Sequence, residues 1–156
     1  MKIIGIDPGL AQTCWAILEE DSPANLIAYG CIETSKDKTL VQRLLIIFKD
    51  TKEIIKEYKP DHMAVENLYF CQNQKTAINV AQAMGVVKLA GQERKIKVNG
   101  YSPTNIKTAI VGHGRAKKQQ VEFMVKQILN IKDEIKPDHA ADAVAVLALR
   151  PVFLAV

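Results

Sequence analysis

Four side chains that can bind a metal ion lie far apart in the sequence, yet each stands at an end of a predicted strand or helix: Asp7, Glu66, His139 and Asp142. Oxygen ligands brought together from distant segments are the means by which a fold holds Mg²⁺ for phosphoryl-transfer chemistry. The pattern therefore predicts a metal-dependent nuclease.

Each of these residues, taken alone, also has an ordinary interpretation. Asp7 could cap the turn that Pro8 and Gly9 indicate, and Glu66 could be a strand-end carboxylate that faces solvent. Asp138 and Asp142 would be favoured near a helix start by the helix dipole alone, and for Asp138 we accept that interpretation. His139 could be a partly buried histidine, but its i, i+3 spacing to Asp142 places both on one helix face.

The elements that must position these residues can be read from the hydrophobic pattern. Short β-rich runs bounded by turn residues predict strands, and apolar residues near a 3.6-residue period predict helices. The predicted strands cover residues 2–7, 13–19, 26–33, 62–66 and 96–101. The predicted helices cover residues 39–58, 75–94, 103–110, 117–129 and 137–149, with a flexible loop at 111–114.

This order of elements predicts an α/β fold, a mixed five-stranded sheet flanked by helices. Asp7 ends the first strand and Glu66 ends the fourth. If those strands are neighbours, the two carboxylates lie side by side at one edge of the sheet. The last helix would then place His139 and Asp142 over that pair.

Length and composition suit one compact domain over residues 1–156. The three cysteines, Cys14, Cys31 and Cys71, lack zinc-binding or C-x-x-C spacing, so we expect reduced thiols. The N-terminal apolar run is too short for a signal peptide or a membrane span. We expect a cytoplasmic protein.

Positive charge is concentrated in one stretch. Between Lys88 and Lys126, nine basic residues stand against two acidic ones, a local balance of +7 within a chain whose net charge is +4. Solvated helix faces could account for such a run, but beside an acidic cluster it favours a polyanionic partner such as DNA.

Several motifs, in their order and spacing, resemble the RuvC family of Holliday junction resolvases over essentially the whole chain. The matching segments are Gly5-Ile6-Asp7-Pro8-Gly9, Thr13, Val65-Glu66, Val111-Gly112-His113-Gly114 and His139-Ala140-Ala141-Asp142-Ala143. The resemblance implies an RNase H-like fold, a homodimer, and metal-dependent symmetric nicking of four-way DNA junctions in homologous recombination and DNA repair.

The resemblance also implies site residues. Asp7, Glu66 and Asp142 match the family's carboxylates, while His139 stands where many members carry aspartate and leaves the choice between Mg²⁺ and Mn²⁺ open. Chemically we expect two Mg²⁺ ions about 3.5–4 Å apart, bridged by Asp7. Glu66 would hold one ion, and His139 with Asp142 the other, giving 5′-phosphate and 3′-hydroxyl ends without a covalent nucleophile.

The DNA contacts come from the same resemblance and from the basic stretch. Tyr69 lies where the family has an aromatic that stacks on a base at the junction centre. Lys107 and Lys118 match basic family positions near the scissile backbone, and we expect Arg115 and Lys117 to contact flanking phosphates.

Two nicks on opposed strands require a two-fold dimer, and the small residues of the helix at 75–94 make it the candidate interface, although they could equally pack on the sheet. By resemblance the chain works beside the RuvA–RuvB branch-migration complex. Two rivals stay open: a related nuclease that cuts RNA–DNA hybrids, flaps or precursor ribosomal RNA, as proposed for the YqgF group, and a junction-binding protein whose site has decayed.

Overall fold

The structure is a computed structural model that describes residues 1–21, 24–67, 74–131 and 138–147, without the side chains at 74, 75, 138 and 139. Its strands are β1 (Lys2–Asp7), β2 (Gln12–Glu19), β3 (Asn25–Glu33), β4 (His62–Glu66) and β5 (Lys97–Tyr101). Its helices are α1 (Leu40–Tyr58), α2 (Gln74–Glu93), α3 (Pro103–Val111), α4 (Lys118–Ile128) and α5 (Asp138–Leu147). Each predicted element is therefore present, with ends close to those predicted where they can be compared; the predicted end of the last helix at 149 lies outside the described residues.

Capping contacts fix the ends of α1 and α3. Thr39 caps α1 by accepting a hydrogen bond from the Gln42 N–H, and the Gln42 side chain accepts one from the Thr39 N–H in return. Ser102 caps α3 ahead of Pro103. Gly112 ends α3 with a φ of 89°, a conformation in which glycine avoids the strain of a side chain.

The five strands form one mixed sheet in the order β3-β2-β1-β4-β5. β1 pairs with β2 in the antiparallel sense and with β4 in the parallel sense, and β4 also runs parallel to β5. Ile6 pairs with Val65, so Asp7 and Glu66, each one residue further along, reach the same edge of the sheet. The predicted α/β architecture and the predicted neighbouring of these two strands are confirmed.

Helices cover both faces of the sheet. Successive side chains of a strand point to opposite faces, so Ile3 packs in the core beneath α3, α4 and α5, whereas Ile4 packs in the core beneath α1 and α2. No helix within the described ranges is long and apolar enough to cross a membrane.

The last helix approaches the first strand very closely. A Cβ atom built on Gly5 would lie 2.6 Å from the Ala143 carbonyl oxygen and 2.8 Å from Leu147 Cγ. Only glycine therefore permits this approach of β1 to α5. The contact brings Asp142, on α5, toward the end of β1 where Asp7 lies.

The cysteine prediction was wrong for two of the three residues. Cys14 and Cys31 form a disulfide between β2 and β3, where the register places them directly opposite one another. Their sequence separation of 17 gave no motif, because the pairing depends on strand register alone. Cys71 lies outside the described residues.

Candidate active site

A cavity of about 300 Å³ opens where the ends of β1 and β4 meet α3, α4 and α5. Asp7 and Glu66 reach it from the two strand ends, and Asp142 reaches it from the first turns of α5. Apolar side chains from the three helices complete its wall, among them Ile106, Val121 and Ala145. Three of the four predicted metal-binding residues thus line one cavity.

Glu66 has a strongly raised pKa in this cavity. Burial raises the pKa of the Glu66 carboxyl from 4.5 to about 7, and the negative charges of Asp7 and Asp142 act in the same direction. The positive charges of Lys107 and Lys118 oppose this shift and lower the pKa. A carboxylate whose negative charge is disfavoured by burial and by like charges is stabilised by a nearby cation.

Lys118 supplies part of that positive charge. Its ammonium group lies 3.1 Å from Asp142 Oδ2 and 4.0 Å from Glu122 Oε1. The side chains of Lys118 and Asp142 are 48% and 33% exposed, so solvent screens the pair and it stabilises the fold only weakly. Its importance lies in its position at the rim of the acidic cavity.

The donor set suits a divalent cation with hard-oxygen preference. Burial first, and then the negative charges of Asp7 and Asp142, disfavour the charge of Glu66, and a bound divalent cation would relieve both effects. Over the part of the chain that the structure describes, no three acidic, histidine or cysteine side chains approach closely enough to ligate one ion together. Mg²⁺ is usually bound by one or two carboxylates together with water and substrate phosphates, so the residues fit an ion whose coordination the substrate completes.

The remaining predicted site residues fall into two groups. Lys107, on α3, lines the cavity beside Lys118, while Arg115 and Lys117 are exposed on the turn between α3 and α4. His139 belongs to the first turn of α5, but its side chain lies outside the described part of the structure, and so does the whole of Tyr69.

A contact that the sequence did not suggest fixes the end of β4. The Asn67 side-chain oxygen accepts a hydrogen bond of 2.9 Å from Lys88 of α2, and the Asn67 N–H donates to the Tyr101 carbonyl. The Asn67 amide packs over Gly100, where any Cβ would lie 2.4 Å from Asn67 Oδ1. A glycine inside a predicted strand was the available signal, because it often marks a close approach of another group. Asn67 directly follows Glu66 and thus holds that carboxylate's backbone.

Comparisons with known proteins agree on one family. The family described as "Crossover junction endodeoxyribonuclease RuvC" matches residues 3–149. A protein of that description from Halothermothrix orenii is 47% identical over 147 residues, which are 94% of this chain and 89% of the relative. A second, from Fusobacterium nucleatum, is 42% identical over 94% of this chain and 77% of its own length.

The fold is similar to a solved structure of the same name. The structure described as "T. thermophilus RuvC in complex with Holliday junction substrate" superposes with a TM-score of 0.91 at 30% identity, covering 99% of this chain and 94% of that one. The similarity extends over the whole sheet and its helices, so it includes the elements that carry Asp7, Glu66 and Asp142.

Proposed function

This chain belongs to the RuvC family of crossover junction endodeoxyribonucleases, with the family's RNase H-like α/β fold, and on that premise we propose that it resolves four-way DNA junctions by paired symmetric nicks. By family it is a nuclease, a hydrolase of phosphodiester bonds. The observation that carries the rest of the proposal is the single cavity on which Asp7, Glu66 and Asp142 converge beside two lysines. The cellular role is homologous recombination and DNA repair.

Asp7, Glu66 and Asp142, which line one cavity, would hold the divalent ions, and His139 on the first turn of α5 would join them. Two bound Mg²⁺ ions, for which Mn²⁺ can substitute, would activate a water as the nucleophile and stabilise the leaving 3′-oxygen. Glu66 must release its proton before it can bind a cation, and its raised pKa makes this step pH-dependent near neutrality. No side chain needs to form a covalent intermediate.

Positive side chains place the DNA backbone over the carboxylates. Lys107 and Lys118 lie at the cavity and contact the phosphates that flank the scissile bond. Arg115 and Lys117, exposed on the neighbouring turn, contact phosphates further along the strand. Tyr69 stacks on a base at the junction centre, as the family pattern implies, and such stacking stabilises binding by about 1–3 kcal/mol.

The active unit is a homodimer, in which each protomer cuts one of two opposed strands. The outer face of α2 supports this proposal, because Ile78 is 60% exposed and Leu89 is 59% exposed on a helix that otherwise packs on the sheet. Between them, a Cβ built on Gly85 would meet no atom of the described residues within 4 Å. Large exposed apolar side chains beside an open glycine are typical of a face that another protein covers.

The proposed substrate, DNA, suggests the compartment and the partner complex. We place the chain in the cytoplasm, as a single nuclease domain over residues 1–156 that works beside the RuvA–RuvB branch-migration complex. The Cys14–Cys31 disulfide is unusual for that compartment, where thiols are normally kept reduced. The oxidation state of this pair in cells is therefore a direct test of the proposed location.

The deciding experiment compares a labelled four-way junction, a linear duplex and an RNA–DNA hybrid with Mg²⁺, Mn²⁺ or EDTA. Wild type should cut only the junction, at symmetric positions, and EDTA should abolish cutting. Asp7→Asn should bind the junction without cleaving it, because it loses one carboxylate charge while keeping the same shape. Preferential cleavage of the hybrid, or junction binding with no metal-dependent cleavage, would overturn the proposal.

A further inference from the structure

A second groove of about 460 Å³ lies beside the acidic cavity. It runs between the turn that joins β1 to β2 and the first turns of α1 and α2. Its described lining residues are Asp7, Pro8, Gly9, Leu10, Ala11, Gln12, Arg43, Thr76, Asn79 and Val80. Asp7 borders both the cavity and this groove, so a strand that passes over Asp7 meets both.

Arg43 is held in the groove by a chain of hydrogen bonds. Its Nε donates to Thr34 Oγ1 over 2.8 Å, and the Thr34 hydroxyl donates in turn to the Leu10 carbonyl. The Thr34 N–H also donates to the Ala11 carbonyl over 3.0 Å. Thr34 is 7% exposed. The guanidinium is therefore fixed to the turn that follows Asp7, and only one of its five N–H groups is used in that attachment.

Among the residues that the structure describes, the charge of Arg43 has no carboxylate partner. Across the described ranges, the ion pairs involve Lys52, Lys56 and Lys118 but not Arg43, although the Arg43 side chain is half-buried. Asp7 is the one acidic residue among the described lining residues, and its charge is assigned to the metal ions in the proposed reaction. A half-buried cation without a counter-ion, held rigidly at the wall of a groove, favours an anionic ligand.

Two polar side chains of α2 line the same groove as Arg43. Thr76 and Asn79, on the first turns of α2, line the same groove and carry donors that suit phosphate oxygens. A fixed guanidinium binds phosphate through two parallel N–H donors, which gives geometric specificity as well as charge.

We propose that this groove is a phosphate-binding subsite, in which Arg43 binds a phosphodiester of the DNA strand that is being cleaved, with Thr76 and Asn79 as neutral donors. The inference rests on the proposed function, because it assumes that the cleaved DNA strand passes over Asp7. Lys107 and Lys118 hold that strand on the cavity side of Asp7, and Arg43 holds it on the other side. The reacting phosphate is thus fixed from two directions.

The test measures junction binding by fluorescence anisotropy in EDTA at several salt concentrations. Arg43→Gln should bind more weakly and should reduce the slope of log K against log salt by about 0.9, the value for one phosphate contact. Thr34→Val keeps the charge but removes the hydrogen bonds that hold the guanidinium, so it should weaken binding with little change of slope. Arg94→Gln removes a positive charge beyond the other end of the 20-residue α2, about 30 Å away, and should leave the slope unchanged.

A second measurement locates the phosphate. Single neutral methylphosphonate linkages are placed in turn along the cleaved strand. One linkage near the scissile bond should weaken wild-type binding but leave Arg43→Gln binding unaffected. Arg43→Gln could instead lower thermal stability as much as Thr34→Val and leave the salt slope at the wild-type value. In that case Arg43 only supports the turn, and the proposed phosphate subsite is wrong. If wild type fails to cleave the junction at all, the proposed function is wrong instead, so the two failures are distinguishable.

Discussion

The ammonium group of Lys118 lies 3.1 Å from Asp142 Oδ2, across the gap between α4 and α5. Lys118 is proposed to contact a DNA phosphate, and Asp142 is proposed to bind a metal ion, so the pair links the two proposed roles. Lys118 also lowers the pKa of Glu66, whose carboxyl faces the same cavity. One lysine thus acts on two of the three carboxylates that line the cavity.

Removal of either cavity lysine should shift the pH dependence of cleavage. Lys107→Met and Lys118→Met each remove a positive charge that lowers the pKa of Glu66, so that pKa should rise above its present value of about 7. At one fixed, subsaturating Mg²⁺ concentration, cleavage should then reach half of its maximum at a higher pH, in addition to a lower rate from weaker DNA contact. Lys126→Met, a charge change on α4 outside the cavity lining, is the matched control. Unshifted profiles for both cavity variants would contradict the assignment.

Mg²⁺ should stabilise the fold at alkaline pH and have little effect at acidic pH. The folded-state pKa of Glu66, about 7, lies above its ordinary 4.5, so the folded chain binds more protons than the unfolded chain between those values. The contribution of Glu66 to the metal-free protein's stability therefore falls as pH rises from 4.5 to about 7, and a bound cation offsets the loss.

Thermal unfolding with and without Mg²⁺, at about pH 5.5 and about pH 8, measures this linkage. Glu66→Gln carries no titrating group at that position and should lack this part of the pH dependence. An equal rise of Tm with Mg²⁺ at both pH values would show that a proton on Glu66 does not compete with the metal.

Gly85→Leu should separate dimer formation from folding. A Cβ atom at Gly85 would meet no described atom within 4 Å, so the variant should fold normally, sediment as a monomer and resolve junctions poorly while still binding them. Gly91→Leu, on the same helix, is the contrasting control, because its Cβ would lie 2.9 Å from Met63 Sδ and from Val98 Cγ2. That variant should lose thermal stability, by about 1–3 kcal/mol or more, through overpacking. A dimeric Gly85→Leu protein would remove α2 from the interface.

The Cys14–Cys31 disulfide should protect both thiols from alkylation and stabilise the fold. Alkylation of the unfolded protein without reductant should leave both residues unmodified, and a reductant should lower Tm. The sequence separation of 17 suggests a loss of about 3 kcal/mol in the chain-entropy description. A Cys14→Ala, Cys31→Ala double variant should be insensitive to reductant. Full alkylation of both cysteines after trapping in intact cells would place the protein in a reducing compartment with the bond open.

The sequence predicted the relative position of residues that stand at the ends of neighbouring strands. Asp7 and Glu66 could be placed together because the carboxyl ends of adjacent parallel strands meet at one sheet edge, and the only assumption was that β1 and β4 are neighbours. The position of Asp142 required more, since α5 approaches β1 closely only because Gly5 lacks a side chain. Gly5 belongs to a sequence motif, but the motif does not indicate which helix packs against it.

Contacts between residues without a shared motif could not be predicted. Arg43 reaches Thr34 from a different element, and nothing in the spacing of an arginine and a threonine indicates a hydrogen bond. Cys14 faces Cys31 only because the β2–β3 register places them opposite one another, and a shift of one residue would separate them. The raised pKa of Glu66 likewise depends on burial, a property of the assembled fold.

The order of the carboxylates along the chain has a consequence during translation. Asp7 and Glu66 leave the ribosome early, but Asp142 stands on α5, which packs against the first strand of the sheet. A nascent polypeptide therefore lacks the third carboxylate through most of its synthesis. On the proposed assignment of Asp142 as a metal-binding residue, the chain can cut DNA only after synthesis has reached α5 and this helix has docked.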